Sequence, residues 1–119
     1  MITREDLENA AFAVGMLAVR MSDDGSGLCP YGMQDVWRPH TDIGDAARLA
    51  VKMRGVMAVS NDARGCLADN SEARYPHPPD INMYVGHDGT QADAERAYCE
   101  AITLCAAVEG KRMKEGSAK

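Results

Sequence analysis

Apolar positions along the chain follow two periods. Leu7, Ala10, Ala11, Val14, Leu17 or Ala18, and Met21 recur three or four residues apart, which predicts an amphipathic helix from Thr3 to about Met21. Gly15 sits inside that pattern. Ile43, Ala46, Ala47, Ala50 and Met53 repeat the spacing, with Asp45, Arg48 and Lys52 opposite and Gly55 as the stop. Ala94, Ala97, Tyr98, Ala101, Ile102, Cys105 and Val108 mark a last helix that Gly110 should end. Each helix opens on short polar residues able to accept a bond from a first-turn N–H: Thr3 with Asp6, Thr41 or Asp42, and Thr90 with Asp93. Between the second and third helices the period changes. Val56–Val59 and Cys66–Ala68 flank a turn at Asn61–Gly65 and read as a hairpin, and Ile81, Met83 and Val85 alternate with Asn82 and Tyr84 in a third strand. Both alternate faces of Val56–Val59 are apolar, a pattern that asks for cover on both sides of a sheet. The expectation is an α+β protein of order α-α-β-β-β-α, a small alpha-beta-alpha sandwich with a three-stranded antiparallel sheet.

The connections separate by composition. Ser22–Gly27 is a turn, and Leu28–Val36, broken by Pro30 and Gly32, is an irregular crossing to Trp37. Asn70–Asp80 is the longest polar loop, stiffened by Pro76, Pro78 and Pro79, with Tyr75 and His77 as its large side chains. Residues 1–112 are expected to form one domain and residues 113–119 a short, frayed basic tail.

With 119 residues, 45% of them hydrophobic, the chain suits one core, and a single Trp and a single Phe make that core one of small aliphatic side chains. A net charge of −5 disfavours a phosphate-tracking nucleic-acid binder, so no direct nucleic-acid contact is expected. The charged start MITREDLENA lacks the features of a signal peptide, and no apolar run approaches a membrane span of ~20 residues. Those features predict a cytoplasmic protein, in which Cys29, Cys66, Cys99 and Cys105, widely spaced, are buried thiols rather than bridges.

The run Trp37-x-Pro39-x-Thr41-Asp42-x-x-x-Ala46, preceded by DLENAAFAVGMLA and followed by strands and the helix ADAERAYCEAITLCAAV, resembles the phage ABA sandwich domain. The likeness covers most of the chain, and the Trp-x-Pro-x-Thr-Asp portion is its specific part. It implies the sandwich fold and a source in a phage or prophage, hence a host-cell cytoplasm; it implies no settled activity. The chain departs from the family in the proline-rich Tyr75–Pro79 stretch and in having few aromatics along its strands.

Chemistry is less legible. His40, His77, His87, Asp42, Asp88 and Glu72 could move protons and the cysteines could act as nucleophiles, yet no pair has motif spacing. No catalytic residue, metal site or cofactor is assigned. A small non-catalytic accessory module is expected, one that binds a host protein or a small nucleotide-like ligand, for example in counter-defence. Its proposed surface is Trp37, Arg38, His40 and Thr41 with Tyr75 and His77 as a second wall, because aromatic and arginine side chains anchor interfaces. The alternatives are a structural homo-oligomer, such as a homodimer paired through open sheet edges, and a small enzyme using the His87-Asp88 turn.

Overall fold

The computed structural model describes residues 2–16, 20–23, 25–29, 36–54, 56–70 and 81–117. In chain order its elements are α1 (Arg4–Ala13), β1 (Arg20–Met21), β2 (Leu28–Cys29), α2 (Ile43–Lys52), β3 (Ala58–Asn61), β4 (Gly65–Asp69), β5 (Asn82–Gly86) and α3 (Gln91–Ser117). The α+β class is observed, with β3, β4 and β5 in one antiparallel sheet and β1 and β2 in a smaller one.

The helix starts follow the sequence. Thr3 and Asp6 form a reciprocal capping box, and Asp42 caps α2 by accepting from the Asp45 N–H at 2.9 Å. The helix ends do not. The first helix was expected to reach Met21 and stops at Ala13 instead. Gly15 adopts φ 77°, and the Met16 and Gly15 N–H groups fold back onto the carbonyls of Ala11 and Phe12, a glycine-terminated C-cap. Arg20 and Met21 then pair with Cys29 and Leu28, and Trp37 extends that small sheet by exchanging bonds with Leu28 at 2.9 and 2.6 Å. The segment expected to be irregular therefore begins as a strand.

Gly110 was expected to end the last helix, and α3 runs through it to Ser117, so the residues assigned to a frayed tail are helical as far as 117. The reason is contact with α1. A Cβ at Gly110 would fall inside the Asn9 carbonyl, so the two helices cross in close contact there. One turn on, the Lys114 ammonium donates to Asn9 Oδ1 at 2.8 Å and sits 5.3 Å from the centre of the Phe12 ring.

α3 organises the core. Ala97, Cys99, Ala101, Ile102, Thr103, Cys105, Ala106 and Ala107 are all buried, which surrounds the helix rather than striping it, as suits a central element. It packs against α1, α2, β4 and β5. Cys66 and Ala68 of β4 are buried with Met83 and Val85 of β5 packed against the core, while Asn82, Tyr84 and Gly86 are exposed. The expected cover on both sides of Val56–Val59 is not what those apolar residues serve. Val56 and Met57 lie ahead of the strand, turned back on the Met53 carbonyl, and only Ala58 and Val59 enter it.

The end of β4 and the start of β5 are joined by a clamp. Buried Asn70 donates its N–H to the Ile81 carbonyl at 3.2 Å and accepts from the Ile81 N–H on Oδ1 at 2.9 Å. Tyr75, His77 and the proline-rich stretch between them lie outside the described residues.

Candidate functional site

The chain between Trp37 and α2 is a tight turn. Thr41 and Asp42 both donate their N–H to the Arg38 carbonyl, and Asp45 accepts from the Arg38 N–H at 3.0 Å while its other oxygen takes the Arg48 guanidinium at 2.6 Å. Pro39 is fully buried beneath this turn. The turn splits the predicted surface in two. Trp37 points into the core at 6% exposure and borders a small hollow of about 120 Å³ with Leu49 and Met16. Arg38 is exposed, and His40 and Thr41 face another way, into a cleft of about 580 Å³ against α3.

Ile2, Ala92, Glu95, Arg96, Cys99 and Glu100 supply the rest of that cleft. Ile43, expected on the buried face of α2, is 43% exposed and lines it too; Leu49 takes the core position, so the inward face is Ala46, Leu49 and Met53. On the other side of Ile43 and Glu95 lies a second cleft of about 590 Å³, lined among others by Asp62, His87, Ala94 and Tyr98. The two adjoin along those residues, at the N-terminal ends of α2 and α3.

Polar groups along the two clefts differ in how far they are engaged. Arg96 is held on three sides, donating to Asp93 at 2.6 Å, to Glu100 at 2.9 Å and to the Gly86 carbonyl at 2.9 Å. His87 is fixed at both nitrogens: Nδ1 accepts from the Gly89 N–H at 3.0 Å, so Nε2 carries the proton it shares with the Asp62 carbonyl at 3.1 Å. Asp88 next to it accepts from the Thr90 N–H and hydroxyl, and Asp93 accepts from the Asp88 N–H while its own N–H is capped by Thr90. The His87-Asp88 turn is thus a helix cap, with both ring nitrogens of His87 and Oδ1 of Asp88 engaged.

His40 is the exception. Its Nδ1 is buried without a hydrogen-bond partner, and burial together with the Arg38 charge lowers its pKa, so the ring is neutral at pH 7. Burial likewise pushes the Cys99 thiol up to about 11, leaving it protonated and a poor nucleophile. Among the described residues no three His, Cys, Asp or Glu side chains cluster as metal ligands, and no helix is long and apolar enough to cross a membrane.

Of the residues proposed from the sequence, His40 and Thr41 line this cleft, together with Glu95, Arg96, Glu100 and Ile43, which the sequence reading did not assign to a site. For Glu95, Arg96 and Glu100 the available signal was their charged spacing in the first turns of the last helix. No family model, curated protein or solved structure matches this chain.

Proposed function

We propose that this chain is a non-catalytic binding module, an accessory protein of phage or prophage origin that holds a small host molecule in the cleft beside His40. The origin is supported by the Trp37-x-Pro39-x-Thr41-Asp42 portion and its resemblance to the phage ABA sandwich domain. The observation that carries the binding reading is His40, whose buried Nδ1 has no partner although the ring borders an open cleft. A buried polar atom left unsatisfied costs about 1–3 kcal/mol, a cost that a bound ligand or ordered water removes. The cleft volume falls within the range of about 300–1,000 Å³ common for small-molecule sites. Holding suits these groups better than reacting, because the thiol in the wall is protonated and His87 is committed to its turn.

Native mass spectrometry of the untagged protein recovered from a bacterial lysate tests this reading. The expected result is a discrete added mass of small-molecule size on the wild type, absent from His40→Leu. Bare protein in both cases rejects it. An added protein retained by His40→Leu would put the partner surface outside the cleft.

A further inference from the structure

Away from the clefts, the backbone of β5 leaves a row of groups without partners. His87 donates its N–H to the Arg64 carbonyl at 2.9 Å and Asn70 to the Ile81 carbonyl at 3.2 Å, one at each end of the β4–β5 ladder. Bonded pairs alternate in an antiparallel ladder, so those between them are Cys66–Val85 and Ala68–Met83. Asn82, Tyr84 and Gly86 therefore turn their N–H and C=O groups away from β4. Among the described residues only the Arg96 guanidinium meets that row, at 2.9 Å from the Gly86 carbonyl, which keeps a second lone pair. Sheet edges are ordinarily blunted by a lysine, a proline or a bulge; β5 reads Asn-Met-Tyr-Val-Gly and pairs with β4 in unbroken register. The nearest acids in sequence, Asp80 and Asp88, stand two residues beyond its ends. Tyr84 is 56% exposed, and its ring lies over Gly65 of β4, which leaves the edge clear.

The row is symmetric about Tyr84, and this symmetry selects the occupant. A second β5 laid antiparallel about a twofold axis at Tyr84 sets Tyr84 against its own copy and Asn82 against Gly86, so each outward N–H meets a carbonyl. Side chains agree with the same register. Tyrosine meets tyrosine on the exposed face, while Met83 meets Val85 on the face packed against the core, in both copies at once. The opposite edge lacks this match. Asp62 donates to the Gly65 carbonyl across the β3–β4 turn, so Val59 and Asn61 face outward on β3, and a twofold axis there sets valine against asparagine. We propose that β5 is a self-association edge, through which two copies of this chain join their three-stranded sheets into one continuous antiparallel sheet. The proposal is independent of any ligand beside His40.

Sedimentation velocity on the full chain over a wide concentration range tests it. The wild type should pass from monomer to dimer as concentration rises. Tyr84→Pro removes an N–H that the folded monomer does not use, and should stay monomeric throughout. Val59→Pro, the matching change on β3, should dimerise like the wild type. Tyr84→Lys places like charges face to face at the axis and should also lose the dimer; it replaces the proline variant if circular dichroism shows that chain unfolded. A wild type that is monomeric at every concentration would overturn the proposal, as would a dimer that survives the folded Tyr84 variants. Loss of the dimer in Val59→Pro, with Tyr84→Lys unaffected, would put the seam on β3 and overturn it equally.

Discussion

The two ends of α3 are built on opposite rules. In its C-terminal half, Ala106, Ala107 and Gly110 let neighbouring elements approach until Gly110 lies against the Asn9 backbone. Toward its N-terminus, Glu95, Arg96 and Glu100 line open clefts beside the start of α2 and the β3–β4 turn. Side-chain size sets the difference. Interiors tolerate little empty volume, so small residues draw backbones together, while long charged ones keep their heads in water and prop elements apart. One helix thereby provides both the dry contact that stabilises the domain and the wet opening in which we place its function.

Changes at the close contact should be the most damaging. Gly110→Ala would gain about 1 kcal/mol of helix propensity, but its Cβ enters the Asn9 carbonyl, and overpacking of this kind costs about 3 kcal/mol or more. A large fall in the denaturation midpoint is expected; an unchanged midpoint would mean that α1 and α3 do not meet there. At the open end the caps matter less. Thr90→Ala removes the acceptor for the Asp93 N–H and the hydroxyl donated to Asp88, and should cost about 1 kcal/mol in chemical denaturation.

Acid probes the same end. Arg96 hydrogen-bonded to Asp93 holds that carboxyl at about 2 in the folded chain, below its ordinary 3.8. Its contribution is therefore present above pH 4 and is lost as pH falls toward 2, so the melting temperature should drop over that window less in Asp93→Asn than in the wild type. His40 gives an effect of the opposite sign. His40→Leu removes an unsatisfied buried nitrogen and should raise stability by about 1 kcal/mol, measured by urea titration at pH 7. Because the folded state favours the neutral ring, the unfolded chain binds more protons below pH 6.5, and wild-type stability should fall with acid there while the leucine variant stays level.

Local chemistry was readable where it is local. The caps at Thr3, Asp42 and Thr90 and the hairpin around Asp62 depend on residues two to five apart, and the sequence contains them whole. Helix ends were misread because Gly15 and Gly110 are the same residue used for different ends: one supplies a positive φ that stops α1, the other clears space for a neighbouring backbone and stays helical. Nothing adjacent to either glycine distinguishes these uses. The small sheet was hidden since β1 and β2 are two residues each, pair with one another as Arg20–Cys29 and Met21–Leu28, and are extended only through the Leu28–Trp37 bridge. The cleft beside His40 was half legible. His40 and Thr41 stand beside a recognisable cap, whereas Ile43 followed the helical period and was assigned inward, and its true direction is set by how α2 lies on α3.

The Asn70–Ile81 clamp makes the sheet indifferent to what is threaded between its ends. Both bonds lie between Asn70 and Ile81, directly beyond the Asp69–Asn82 pair, and so close the β4–β5 register at that end. Doubling the length of such a closed segment costs only about 0.6 kcal/mol of closure entropy. This is the place where foreign sequence, such as an epitope or a tag, can be spliced into the molecule while Cys66–Val85 and its neighbouring pairs remain as they are.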